Sequence, residues 1–74
     1  MIHIGYVVKV HAARGFAFVG DAADGQEYFL HRSQIITPSK TIDEGTKVEF
    51  QLGMYAGRKV ALQVKPVIET GASL

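Results

Sequence analysis

Polar and apolar residues alternate most regularly over residues 47–52, where Lys47, Glu49 and Gln51 interleave with Val48, Phe50 and Leu52. That period of two predicts a strand with one wet and one buried face, Val48, Phe50 and Leu52 lying inside. A second alternation sets Val60, Leu62 and Val64 against Ala61, Gln63 and Lys65, and predicts a last strand. The run Gly53-Met54-Tyr55-Ala56-Gly57 between them reads as a turn, and Pro66 ends the ladder by removing a donor. Earlier in the chain, Gly5-Tyr6-Val7-Val8-Lys9-Val10 has the β-branched and aromatic content of a first strand. His11-Ala12-Ala13-Arg14-Gly15 turns the chain into a second strand, Phe16-Ala17-Phe18-Val19, closed by Gly20 and Asp21. The Asp-Gly pair in Asp21-Ala22-Ala23-Asp24-Gly25 signals a hairpin into a third strand over residues 27–31. Residues 32–46 hold Pro38, Ser39, Lys40, Asp43 and Gly45 without an apolar period, which predicts a long loop with a short helical turn near residues 33–35.

Five short strands without a long helix predict an all-β fold. Closing them into a small antiparallel β-barrel removes the edges that invite aggregation. A chain of 74 residues has room for one domain, expected over residues 1–67, with residues 68–74 as a flexible tail. The balance of 47% hydrophobic and 20% charged residues is that of a globular protein and not of a disordered one.

Chemistry is then narrowed by what the chain lacks. Without cysteine there is neither a disulfide framework nor a thiolate metal site, which suits a reducing cytoplasm. The apolar runs fall far short of the roughly 20 residues that span a bilayer, and Met1-Ile2-His3-Ile4 lacks the basic start of an export signal. His3, His11 and His31 have no metal-ligand spacing, so no metal is assigned. No nucleophile elbow, phosphate-cradling glycine loop or paired carboxylates stand out, so neither an enzyme nor a cofactor nor a small-molecule substrate is expected.

Net charge is only +1, so a nucleic-acid partner would need more than a dense cationic patch to hold it. Charge is unevenly placed, since residues 1–20 carry Lys9 and Arg14 and no acid. In the third strand Glu27, Phe29 and His31 share one parity, and a face bearing Glu and His is the wet one, which exposes Phe29. The second strand is ambiguous: Phe16 and Phe18 face either the core or solvent, and a phenylalanine taken singly is ordinarily a core residue. Placed outward beside Phe29 and His31, they would form a stacking platform rimmed by Lys9, Arg14 and Arg32. Such a platform suits single strands, whose unpaired bases gain roughly 1–3 kcal/mol each by stacking on aromatic rings.

Gly15-Phe16-Ala17-Phe18-Val19 and, after a loop, Glu27-Tyr28-Phe29-Leu30-His31-Arg32-Ser33-Gln34-Ile35 resemble, in sequence and spacing, the two nucleic-acid-binding motifs of cold-shock domain proteins. The resemblance runs from Gly5 to about Lys65. Gly5-Tyr6-Val7 is similar to the family's opening strand, Lys40-Thr41-Ile42-Asp43-Glu44-Gly45 to its loop before strand four, and Ala61-Leu62-Gln63-Val64 to its last strand. It implies an OB-fold-like barrel with Phe16, Phe18, Phe29 and His31 on the binding face and Ala17, Val19, Tyr28 and Leu30 turned inward. The chain departs from the family at usually aromatic positions, which hold Lys9, Val10, Arg32 and Ser39. Losing three stacking rings at about 1 kcal/mol each would weaken binding by on the order of a hundredfold. Arg32 and Lys9 recover part of this by stacking and phosphate contact, which makes the expected binding weaker and more salt-sensitive.

The resemblance thus implies a binder of single-stranded RNA or DNA that acts as an RNA chaperone, with Lys9, Arg14 and Arg32 at phosphates. The competing expectation is a barrel that has lost most nucleic-acid affinity and docks a protein partner through the same phenylalanine patch. Arg58 and Lys59 are weaker candidates, because the turn that carries them has no orientation fixed by the sequence.

Overall fold

Strands form where the alternation predicts them, and most run longer than the pattern alone reaches. The computed structural model describes residues 1–38 and 40–67. Among these, the strands are β1 (His3–His11), β2 (Phe16–Asp21), β3 (Glu27–His31), β4 (Lys47–Tyr55) and β5 (Arg58–Pro66). Short 3₁₀ turns at Ala12–Arg14 and Arg32–Gln34 follow β1 and β3, the second close to the expected helical turn. The expected tail at residues 68–74, and Ser39, lie outside the described residues. No helix among the described residues is long and apolar enough to cross a membrane.

The strands close in the order β1-β2-β3-β5-β4. The expectation of a purely antiparallel barrel needs one correction, because β3 meets β5 in parallel at Phe29↔Val60. The bridge Ile35↔Val64 continues that seam, also in parallel. The reason is counting: a ring with an odd number of strands cannot alternate direction all the way round, so one neighbouring pair must run the same way. Here it is the pair joined by the longest connection, which crosses from β3 to the β4–β5 hairpin.

Inside the ring, Phe50, Leu30, Val19, Val48 and Val64 are fully buried, with Val7, Ala17, Tyr28, Ile35, Ile42 and Ala61 around them. Burying each large side chain contributes roughly 1.5–3 kcal/mol. Ala17, Val19, Tyr28 and Leu30 turn inward and Phe16, Phe18, Phe29 and His31 outward, as the strand registers and burial pattern require.

Two bulges reset the alternation. In β1 the pairing with β2 steps from Val7↔Val19 to Lys9↔Phe18, leaving Val8 as the extra residue. Strict alternation from buried Val7 would send Lys9 and His11 inward; the bulge turns both outward and Val10 toward the core. In β5 the pairing with β4 steps from Glu49↔Lys65 to Gln51↔Leu62, so two residues oppose Phe50. Gln63 takes the left-handed conformation there, at φ 50°. Two glutamines pin it: Gln63 N–H donates to Gln34 Oε1 at 3.2 Å, and Gln51 Nε2 donates to Gln63 Oε1 at 3.1 Å.

This second bulge interrupts the alternation of the last strand. Val64 stays in the core, but Ala61, 1% exposed, takes the inward place before it. Val60, buried at 6% exposure but outside the central cluster, and half-buried Leu62 border a groove with Phe29 and Tyr55. Leu52, across from Ala61, packs against the core as expected but is only half-buried.

The loops are held by acids. Asp21 is 3% exposed, and its carboxylate accepts from Ala23 N–H at 2.7 Å and lies 2.9 Å from His3 Nδ1. The ring of His3 in turn stacks on Phe50 at 5.5 Å. Beyond Tyr6↔Lys47, where β1 leaves β4, the loop before β4 covers the strand's edge. Gly45 N–H donates to Val7 O, Val7 N–H to Thr46 O, and Val10 N–H to the Glu44 carboxylate at 3.0 Å.

Candidate nucleic-acid interface

Adjacent strands put the outward side chains in rows. Across β1, β2 and β3 the register aligns His11, Phe16 and His31 in one row, and Lys9, Phe18 and Phe29 in the next. Phe16 stacks on Phe29 with ring centroids 5.4 Å apart and 30° between planes. Phe18 stands edge-on to both, 5.8 Å from Phe16 and 6.0 Å from Phe29. All three are half-buried, each keeping part of its ring accessible. The spacings are those of edge-to-face and offset-stacked pairs, so the rings hold one another in place before any ligand arrives.

His11 belongs to this cluster, with its ring 4.7 Å from Phe16 and 6.3 Å from Phe18. Sequence reasoning weighed it only as a metal ligand and missed it. The available signal was its spacing of two from Lys9, which puts both on one face of a strand.

His31 is exposed and oriented by the turn that follows it. Ser33 N–H donates to His31 Nδ1 at 3.1 Å, and the Ser33 hydroxyl lies 2.9 Å from the same nitrogen. A ring nitrogen that accepts carries no proton, so the neutral ring bears its proton on Nε2, available to a ligand.

Of the cations proposed from the sequence, Lys9 lies directly across from Phe18. Arg14 ends the first 3₁₀ turn and Arg32 begins the second, and the two turns are tied by Arg32 N–H donating to Gly15 O at 2.9 Å. Lys9, Arg14 and Arg32 are exposed, and none pairs with an acid among the described residues. Arg32, Phe16 and Lys40 border a second depression of about 380 Å³ beside the loop before β4. Arg58, a weaker candidate from the sequence, reaches the platform: its guanidinium carbon lies 5.9 Å from the Phe29 centroid. Lys59 pairs with Met54 on the opposite parity.

The groups with displaced titration lie off this surface. Asp21 is held below its ordinary value, first by the Ala23 N–H, with His3 adding and burial opposing. The Tyr28 phenol is raised, first by burial and then by the nearby Asp24 carboxylate, which accepts its hydroxyl at 3.3 Å. The interface therefore offers flat rings, cations without an acid partner among the described residues and one oriented imidazole, a set chemically suited to stacked planar groups on an anionic chain.

The family model described as the 'Cold-shock' DNA-binding domain matches residues 3–67. Among solved structures, Drosophila Unr CSD456 aligns with a TM-score of 0.79 at 22% identity, over 93% of this chain and 28% of that one. Likeness at that identity speaks to the fold. The chain spans little more than a quarter of that structure's length.

Proposed function

Because this chain belongs to the cold-shock DNA-binding domain family, a family of nucleic-acid-binding domains, we propose that it binds single-stranded RNA or DNA on the outer face of β1, β2 and β3. Phe16, Phe18, Phe29 and His31, joined by His11, stack on bases, while Lys9, Arg14 and Arg32 meet phosphates. The observation that carries this reading is the packed cluster of outward phenylalanine rings beside cations that no acid neutralises among the described residues. Rings held partly in water give up burial that the core would have provided, an arrangement that suits a ligand with faces to stack on them.

Acting in the cytoplasm, such a domain works as an RNA chaperone by mass action. It stabilises the open strand and gains nothing from the paired one, so weak hairpins melt as it binds. Binding alone accomplishes this, without catalysis or a cofactor.

A second reading has its own support. Ile4, Tyr6 and Val8 are exposed along β1, with Ile2 exposed just before it, extending the apolar surface beyond the phenylalanines in the way a protein-docking face does. Fluorescence anisotropy separates the two. A labelled pyrimidine-rich single strand should bind saturably to the wild type, its duplex should not, and Phe16→Ala with Phe29→Ala should weaken binding by on the order of tenfold or more. Absence of single-strand binding at low salt and high protein concentration would turn the assignment to the docking reading.

A further inference from the structure

The bulge in β5 has a consequence on the outer surface. By turning Val60 and Leu62 away from the core, it places apolar side chains beside Phe29, across the parallel seam where Phe29 and Val60 are register partners. A groove of about 320 Å³ opens there, lined by Val60, Ala61 and Leu62 of β5 together with Phe29 and Tyr55, and bordered also by Ser33 and Gln34. Gly53, the partner of Val60 on β4, leaves room for Leu62 to lie across it, and a Cβ at that position would collide with Leu62 Cδ1. A bulge with a non-glycine residue at φ 50° is a strained device of the kind that re-aims side chains beside binding sites.

The groove continues the aromatic platform. Phe29 belongs to both, with its ring against Phe16 and Phe18 on one side and in the groove wall on the other. Tyr55 is 74% exposed, and its side chain has no hydrogen bond or ring contact among the described residues. Its register partner Arg58 puts a cation over Phe29, where a phosphate joining a base on the platform to a base in the groove would pass.

We infer that this groove is a further base-binding subsite, taking one nucleobase of the same single strand between Phe29 and Tyr55, with Arg58 on the connecting phosphate. The inference rests on the single-strand reading and extends it to β4 and β5. The volume lies at the low end of small-ligand pockets, about 300–1,000 Å³, which suits one planar base better than a protein segment. Gln34 Oε1 is already engaged by Gln63 N–H and the Ser33 hydroxyl is turned to His31 Nδ1, so the groove presents the amide protons of Gln34. Those are donors to a carbonyl on a base edge, which thymine and uracil carry.

The test is a length series of labelled oligothymidylates titrated against wild type, Tyr55→Ala, Tyr55→Phe and Phe16→Ala. The exposed position of Tyr55 leaves the core untouched, and matching thermal melts establish that the variants are folded. Wild-type affinity should climb with length until platform and groove are both filled. In Tyr55→Ala the climb should stop about one nucleotide earlier, with the longest oligomer bound roughly fivefold or more weaker. The shortest oligomers should bind as in wild type, and Tyr55→Phe should behave as wild type throughout. If Tyr55→Ala follows wild type at every length while Phe16→Ala is weakened, the subsite is overturned and the platform stands. If wild type binds no oligomer at any length, both are overturned.

Discussion

Asp21 shows how much one side chain can hold in a barrel this small. Its carboxylate collects the Ala23 N–H and His3, while its own main chain bonds Gln26 O and Gly25 N–H, so the turn between β2 and β3 is organised around it. Replacing it with Asn removes the charge from these hydrogen bonds and should lower stability at neutral pH by about 1–3 kcal/mol. Its native pKa lies below the ordinary 3.8. A depressed value means the unfolded chain takes up the proton first. The contribution is therefore complete above about pH 4 and is lost as pH falls through the native value. Urea midpoints followed by circular dichroism from neutral to strongly acidic pH should fall less steeply at the acid end for Asp21→Asn than for wild type. Equal acid slopes would remove Asp21 from that role. Nothing local marked this residue: in the sequence it is one acid of a polar loop, and its burial arises only when His3 comes beside it from β1.

At the scale of elements, the β4–β5 hairpin carries both the clearest sequence signal and the largest departure from it. Its two turn residues, Ala56 at φ 52° and Gly57 at φ 80°, have the paired positive values that a two-residue I′ turn requires. An alanine in the left-handed region costs roughly 1 kcal/mol that asparagine or glycine largely avoids. Ala56→Asn should therefore raise the urea midpoint, with a gain of about 0.5–1 kcal/mol, and a lowered midpoint would count against the I′ assignment. The alternation of Val48, Phe50 and Leu52 was legible because every second residue of an unbulged strand faces the same way. The same rule does not carry through β5, since it assumes one residue per step and Gln63 breaks that count opposite Phe50.

Over the whole molecule, a net charge of +1 makes the surface distribution decisive. If Lys9, Arg14 and Arg32 supply the phosphate contacts, the logarithm of single-strand affinity should fall with the logarithm of salt concentration at a slope of about −2, near 0.7 for each cation. Arg58 joining them on a longer oligomer would steepen the slope to about −3. A slope near zero, measured by anisotropy over a range of salt, would mean that the phenylalanine face meets its partner without phosphates and would favour protein docking. The parallel seam belongs to this scale too. It follows from closing an odd ring, and it brings Val60 beside Phe29, so the global topology positions the groove next to the platform.

The sequence by itself determined where the strands lie and that the barrel has one small core, while the outward turn of Phe16 and Phe18, open to alternation, followed only from the motif resemblance. Alternation, turn residues and motif spacing act over a few residues and need no partner to be read. Tertiary structure alone decided which residues the bulges turn outward, and so the places of His11, Val60 and Leu62. It also decided the approach of Arg58 to Phe29, the position of Tyr55 at the groove and the burial of Asp21. Each depends on a strand distant in sequence. A bulge is set by the residue opposite it, a groove by side chains from separate strands, and a buried carboxylate by donors that only closure brings within reach.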